Sequence, residues 1–235
     1  MIIDIGDGVS VKVKKTDRRR SAEITIEDTQ VIVTVPSSIS DIRLNQLINS
    51  RSAWIKSRLK IQTSIPIPKE KEFVNGESIS YLGRNYRIKI TKGKSEVLLK
   101  NGYLNIKIQK LVTEVEKRDV VRELVVNWYE THALQGITKK ISRFQKIFGV
   151  KPTSVTIKDF KTKWASCGLN GDLTFNWRIL MAPSRVVDYV VAHELAHLVK
   201  HNHSEEFWKV LKKVIPDYEQ DKEWLKNNAI RLYKV

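Results

Sequence analysis

A chain of 235 residues with 41% hydrophobic content is long enough for one large or two small globular domains. No apolar run approaches the roughly 20 residues of a membrane span, and the start, Met1 to Asp7, is too short and too acidic for a signal peptide. The single cysteine, Cys167, excludes an intramolecular disulfide, so we expect a cytoplasmic protein without a membrane segment. The formal net charge of +16 predicts either a polyanionic partner or a Lys-rich surface that only solvates the protein. The partner could be nucleic acid, bound weakly and without sequence preference, a membrane surface or a phosphorylated substrate.

Alternating apolar residues predict two groups of strands in the first half of the chain. The first group covers residues 9–35 and includes a hairpin turn at Asp28-Thr29. The basic run Arg18 to Arg20 within it is either a phosphate-binding edge or a charged rim that prevents edge-to-edge aggregation. The second group lies between residues 78 and 108, and Asn101-Gly102 is a strong hairpin signal.

One helix separates the two groups of strands. Ser40-Asp41 predicts its N-terminal cap, and its apolar stripe continues to about Ile61. Residues 65–72 contain two prolines and several charges, which are typical of a linker or crossing loop. We therefore expect an α+β protein, with a β-rich module containing one helix at 1–109 and a helical domain with a small sheet at 110–235.

The second half is predicted to be mostly helical. Helical periodicity covers residues 111–148, with an interruption near Gly136, and Gly149 is placed as a left-handed C-terminal cap. Residues 153–159 are predicted to form a strand, and residues 173–181 a second one.

The second predicted strand is followed by His193-Glu194-Leu195-Ala196-His197. In a helix, about 100° per residue places His193 and His197 roughly 40° apart, so both imidazoles can reach one metal ion from the same face. Glu194 lies beside them and can hold a metal-bound water. The apolar run 186–192 predicts a buried helix, in which a polar cluster needs partners, and a metal ion supplies them.

Two further histidines compete for the place of third ligand, because four of the five histidines lie between residues 193 and 203. His201 shares the ligand face if the helix continues. His203 reaches the metal only if the helix ends at about residues 198–200 and the chain turns back, with Asn202 in a left-handed conformation. Ser204 to Glu206 then predicts the cap and acidic first turn of another helix.

Three neutral imidazoles leave Zn²⁺ a fourth position for water, and the metal lowers the pKa of that water toward about 7. Glu194 can accept the proton of this water and pass it to the leaving group. Cys167 is the only thiol that could close the site to water. Its alternative role is that of a small packing residue beside the cleft.

A series of short motifs occurs in a fixed order in the second half. They are Lys163-Trp164-Ala165-Ser166-Cys167, Leu173 to Arg178, Asp188 to Leu198, Asn202-His203-Ser204 and Phe207-Trp208. This series resembles the YgjP-like metallopeptidases, which are also described as predicted metal-dependent hydrolases, and more distantly the SprT-like and WLM zinc proteases. The resemblance covers about residues 153–225.

The resemblance implies a zincin-like domain in which a strand preceding the HExxH helix forms the upper rim of the cleft. It also implies zinc as the cofactor, with the ligands His193, His197 and His203 and the base Glu194. The motif order thereby favours His203 over His201. The family usually has Gly where this chain has Ala165, and a positive φ at that position would strain the loop.

Four further residues are predicted to contact a polypeptide substrate: Trp164, Ser166, Asn176 and Arg178. The strand at 173–180 is expected to be an edge that pairs with the substrate, because only residues 181–184 separate it from the metal helix. Asn176 and Arg178 would share its polar face and lie toward the substrate. Pairing on both edges within the chain would instead favour a nucleotide hydrolase.

The sequence therefore predicts a zinc-dependent hydrolase, and a metallopeptidase is the first hypothesis. The second is a nucleoside triphosphate pyrophosphatase, for which the basic surface would attract the phosphates, although no Gly-rich phosphate cradle is present. The third is a nucleic-acid-associated protease module that the β-rich half anchors.

Overall fold

The computed structural model describes residues 2–17, 22–27, 30–64, 69–109 and 113–234. Four predicted features lie wholly or partly outside these residues: the basic run Arg18 to Arg20, the turn at Asp28-Thr29, the start of the 65–72 linker and the start of the helix at 111–148. The described residues form helices and small mixed sheets, so the α+β class is confirmed. No helix among them is both long enough and apolar enough to cross a membrane.

The chain divides into two compact units, Met1–Ile67 and Pro68–Val235. This division differs from the predicted boundary between residues 109 and 110. The reason is packing, since buried residues of the second group of strands, such as Ile88 and Leu104, share one core with the long helix that follows them. Alternation in a sequence identifies strands, but it does not indicate which helix covers them.

The first unit contains a four-stranded sheet and one helix. Its elements are β1 (Ile2–Asp4), β2 (Ser10–Thr16), β3 (Glu23–Glu27), β4 (Gln30–Pro36) and α1 (Asp41–Ser64). The strand order is β1-β2-β4-β3, with β2 and β4 parallel. Alternate valines of β2 and β4 pack against Leu44, Ile48 and Ile55 of α1. The predicted strands and helix of this unit are confirmed, and the unit has its own core.

The second unit begins with another four-stranded sheet. Its strands are β5 (Ser78–Tyr81), β6 (Arg84–Lys92), β7 (Glu96–Lys100) and β8 (Tyr103–Ile108), in the order β5-β6-β8-β7. Asn101 and Gly102 both have positive φ, at 53° and 78°, which is the geometry of the predicted two-residue hairpin. One face of this sheet joins the core of the unit, and the other presents mostly exposed residues.

A long helix, α2 (Glu114–Phe148), follows this sheet. Thr113 caps it in a reciprocal arrangement with Glu116, and Gly149 ends it with a φ of 68°, as predicted. The predicted interruption near Gly136 is wrong, because α2 runs through this residue. One isolated glycine lowers helix stability by about 1 kcal/mol, which is too little to break a helix that buries a continuous apolar face.

The remaining elements form the part of the unit that carries the HExxH motif. They are β9 (Ser154–Lys158), β10 (Ala165–Cys167), β11 (Asp172–Asn176), a 3₁₀ helix (Trp177–Met181), α3 (Ser184–Val199), α4 (Glu205–Val214) and α5 (Tyr218–Tyr233). The strand order is β10-β11-β9, with β11 antiparallel to β10 and parallel to β9. The predicted strand at 173–181 is thus correct only as far as Asn176.

Candidate metal centre

Helix α3 and the turn after it bring three histidines together. His193 and His197 lie one turn apart on α3, and the helix ends at Val199, within the predicted limits. The ligand-capable nitrogen atoms of His193, His197 and His203 all lie within 4.8 Å of one another. The Nε2 atoms of His193 and His203 are 3.0 Å apart. Tetrahedral Zn–N bonds of about 2.0–2.1 Å would hold such nitrogens about 3.3 Å apart, so the three side chains fit a single ion.

The chain reverses after α3 by a different route from the one predicted. Lys200 adopts an extended conformation with a φ of −141° and ends the helix. Asn202 has no positive φ, so the prediction of a left-handed residue there is wrong. Ser204 caps α4 as predicted, because its side chain accepts a hydrogen bond from the backbone N–H of Phe207. His201 is exposed and is not part of the three-histidine group found among the described residues.

Aromatic side chains of α4 hold the three imidazoles in place. The ring centroid of Phe207 lies 5.0, 4.6 and 4.9 Å from those of His193, His197 and His203. Trp208 stacks on His203 with a centroid separation of 5.5 Å and an interplanar angle of 22°. The Nδ1 atom of His193 is buried and has no hydrogen-bond partner among the described residues. Packing therefore orients this ring and leaves its Nε2 atom directed toward the other two histidines.

The surroundings of the three imidazoles favour their neutral form. Burial, together with the nearby His197 and His203, lowers the pKa of His193 to about 3. Burial also lowers the pKa of His197 and of His203, and repulsion from Lys222 adds to the effect on His203. Each neutral imidazole offers a nitrogen lone pair to a metal ion. Protonation of all three rings would bring three positive charges together in a partly buried site, whereas a single metal cation can be bound by all three lone pairs.

Glu194 lies on the same helix and is 7% exposed. Its burial raises the pKa of the carboxyl group to about 7, although the nearby Lys163 acts to lower it. A carboxyl group with such a pKa can both take up and release a proton near neutral pH. A metal dication among the histidines would stabilise the carboxylate and lower its pKa.

Strand β10 passes beside this carboxyl group. The half-buried Cys167 has a raised pKa because its thiol is desolvated and because Glu194 and Asp172 lie nearby. Its Sγ–H donates to the carbonyl of Gly168 over 3.5 Å, and Cys167 is not in the three-histidine group found among the described residues. It therefore corresponds to the predicted packing residue beside the cleft. Ala165 does not have a positive φ, so alanine at this position is unstrained.

Two of the predicted substrate contacts have structural roles instead. The side chain of Asn176 is fully buried, and its Nδ2 atom donates to the carbonyls of Phe160 and Lys163 over 2.8 and 3.0 Å. Arg178 is 7% exposed, forms an ion pair with Asp159 and lies 4.2 Å from the ring of Trp177. Both side chains hold the chain segment before β10, and their burial leaves little surface for the direct substrate contacts that the sequence predicts.

The other two predicted contacts lie on that segment and on β10. The half-buried ring of Trp164 packs against Tyr233 of α5, with centroids 4.6 Å apart. Ser166 lies at the middle of β10 and pairs with Thr174 of β11. Tyr233 also donates a hydrogen bond to the carbonyl of Lys163 over 2.9 Å, a long-range contact that no local pattern could have predicted.

The prediction that residues 173–180 form an edge strand is wrong. Each residue of β11 from Asp172 to Asn176 pairs with β9, and Leu173 to Phe175 also pair with β10, so β11 is the central strand of its sheet. In the part of the chain that the structure describes, β10 is an edge strand of this sheet, its outer edge has no strand partner, and the strand contacts α3.

A buried HExxH helix, a third histidine from the following turn and a buried glutamate define a metal-dependent hydrolase site. The model of the YgjP-like metallopeptidase domain matches residues 20–228, and the chain therefore belongs to the YgjP-like family of metallopeptidases. Membership of this family identifies the protein as a metal-dependent peptidase in general.

A solved structure with some similarity is the crystal structure of the metallopeptidase zymogen of Pyrococcus abyssi abylysin. It is 24% identical, covers 38% of this chain and 90% of that chain, and has a TM-score of 0.36. No curated protein matches the sequence.

Proposed function

We propose that the protein is a zinc-dependent peptidase in which His193, His197 and His203 hold the metal and Glu194 is the general base. The observation that carries this proposal is the convergence of three imidazole nitrogens within 4.8 Å, beside a carboxyl group that is 7% exposed. When bound, Zn²⁺ would supply a water of lowered pKa and would polarise the substrate carbonyl.

The chain's own contribution begins with Glu194. Its carboxylate accepts a proton from the attacking water, and the resulting carboxylic acid donates that proton to the leaving amine. Burial raises the pKa of this carboxyl group in the metal-free protein, and a bound metal cation would lower it again and favour the carboxylate that accepts the proton. The neighbouring Lys163 adds positive charge beside the carboxylate.

We assign substrate binding to the outer edge of β10. The Asn176 N–H bonds to the carbonyl of Trp164, and the Gly168 N–H bonds to the carbonyl of Asp172. In an antiparallel ladder the bonded positions alternate, so Ser166 also faces β11. The backbone N–H and C=O groups of Ala165 and Cys167 therefore face the open edge. An extended peptide paired with them would lie beside Glu194, which is close enough to Cys167 to raise the pKa of its thiol.

Because β11 is paired on both sides, it has no free edge to which a peptide substrate could add. This observation weakens the first form of the peptidase hypothesis and favours the nucleotide hydrolase. The open edge of β10 provides a replacement one strand away. Membership of a metallopeptidase family supports the same choice. We therefore retain the nucleotide hydrolase as the competing function to be tested directly.

The test is a panel of unstructured polypeptides and nucleoside triphosphates incubated with zinc-loaded protein and with the Glu194→Gln variant. We expect hydrolysis of polypeptide only, and a loss of about 10²–10⁴-fold or more in the variant, with zinc content unchanged. Zinc-loaded protein that cleaves triphosphates but no polypeptide would refute the peptidase. Full activity in the variant would refute the role of Glu194.

A further inference from the structure

The formal net charge of +16 is not explained by the metal centre. Part of it lies on the sheet of β5 to β8, whose inward-facing residues, such as Ile88 and Leu104, are buried. The alternate residues point the other way and include Arg87, Lys89 and Lys100, all exposed. We call this outward face the basic sheet face.

The basic sheet face carries an exposed aromatic residue between two of these cations. Ser78, Arg87, Tyr103 and Lys100 are paired in register and form one row across the four strands. Because neighbouring strands are about 4.8 Å apart, the backbones of Arg87 and Lys100 lie about 10 Å apart with Tyr103 between them. Tyr103 is 42% exposed, and Lys89 Nζ lies 5.9 Å from the centroid of its ring.

Little negative charge opposes these cations. The only acidic residue in the four strands is Glu96, and it is paired with Lys107 over 2.8 Å. The side chains of Arg87 and Lys100 have no acidic partner in the described part of the chain. An exposed aromatic ring between two unneutralised cations is the arrangement with which proteins stack a base and hold the flanking phosphates.

The positive charge continues beyond the edge strand β5. A cavity of about 100 Å³ there is lined by polar and apolar residues of the unit, including Ser78, Ser80 and Asn85 of the same sheet, and by four basic residues: Lys69, Lys71, Arg231 and Lys234. Lys71 has an acidic neighbour, Glu77, at 3.6 Å. Ser78 belongs both to this cavity and to the row that contains Tyr103, so the cavity and the basic sheet face meet at β5, and we call the two together the basic track.

We propose that this track binds a single-stranded nucleic acid, with a base stacked on Tyr103 and the phosphates held by Arg87, Lys100 and the basic cavity. Binding requires no base-edge contacts, so it is weakly dependent on sequence and strongly dependent on salt. The metal centre takes no part, and protein treated with a chelator should bind as well as zinc-loaded protein. The result is therefore independent of the proposed peptidase activity.

The test uses the full chain and a fluorescently labelled oligothymidine strand, with binding followed by anisotropy between about 50 and 200 mM salt. Tyr103→Ala should weaken binding about tenfold, whereas Tyr103→Phe keeps the ring and should bind like the wild type. Arg87→Ala and Lys100→Ala should each reduce the slope of log affinity against log salt by about 0.7.

The matched control is the double change of Lys212 and Lys213 to alanine, since both are exposed lysines on α4, away from the sheet. It should leave the salt slope nearly unchanged. Four results would overturn the proposal. The first three are no binding at about 50 mM salt, no effect of Tyr103→Ala, and a lysine control that weakens binding as much as Arg87→Ala combined with Lys100→Ala. Equal competition by polyglutamate of the same length would also overturn it, because polyglutamate offers charge without stacking bases.

Discussion

Substitution of Asn176 by alanine tests whether this residue contacts substrate or holds the segment before β10. Its side chain makes three hydrogen bonds: Nδ2 donates to Phe160 and Lys163, and Oδ1 accepts from the Arg178 N–H over 3.1 Å. Each lost bond costs about 1 kcal/mol, which gives a loss of about 3 kcal/mol in the free energy of unfolding. For a unit of this size, the melting temperature should fall by about 6–12 °C.

The assay combines thermal unfolding with peptide hydrolysis measured well below the melting temperature. The matched control is Asn227→Ala, since Asn227 is an exposed asparagine on α5 with a single bond to Glu223. It should shift the melting temperature by less than about 2 °C. A melting temperature for Asn176→Ala that equals the wild-type value, combined with a raised KM, would refute the structural role and restore the direct substrate contact.

Three shorter predictions follow from the same structure. His203→Ala should lose bound zinc and His201→Ala should retain it, as measured by metal analysis; equal losses would contradict the ligand set. Gly83→Ala should destabilise the protein by about 2 kcal/mol, because φ is +79° and the added methyl group would lie 2.9 Å from the Cα atom of Pro183. Gly136→Ala, at an open helical position, should instead stabilise it by up to about 1 kcal/mol. Denaturant titrations measure both changes. In chelator-treated protein the pKa of Glu194 is about 7, above its unfolded value of 4.5. The contribution of this group to the free energy of unfolding is therefore fully present below pH 4.5 and is lost as the pH rises through 7. The stability gain of Glu194→Gln over wild type should therefore be about 2 kcal/mol larger at pH 8 than at pH 5, and a gain that does not change with pH would contradict the burial argument.

Features set by local spacing could be predicted from the sequence. The placement of His193 and His197 depends only on the helical repeat, and the caps at Gly149 and Ser204 depend on the chemistry of single residues. The convergence of His203 with them needed a helix that ends soon after His197, and the choice of His203 over His201 came from the motif order of the family and not from local spacing.

Features set by long-range packing could not be predicted. The alternation of Thr174, Asn176 and Arg178 predicted a strand with an exposed polar face over residues 173–181, but these three side chains are buried too, and the strand gives way to a 3₁₀ helix at Trp177. The one available signal was Asn176, whose side chain bonds to the Arg178 N–H and starts the 3₁₀ helix, as asparagine often does. The order β10-β11-β9 depends on pairing between distant segments.

The edge assigned to the substrate can be tested with proline, because only one of two neighbouring residues in β10 donates its N–H to β11. Ala165 faces the open edge, so Ala165→Pro removes a donor to the substrate and leaves the ladder with β11 intact. We expect a fall of about tenfold in kcat/KM, equal to the loss of about 1.4 kcal/mol for one hydrogen bond. The melting temperature should stay within about 3 °C of the wild type. Ser166→Pro is the matched control, since it removes an N–H that bonds to Thr174, and it should lower the melting temperature more than Ala165→Pro does. Normal kcat/KM in folded Ala165→Pro would show that the substrate does not pair with this edge, and the peptidase would then need another binding surface.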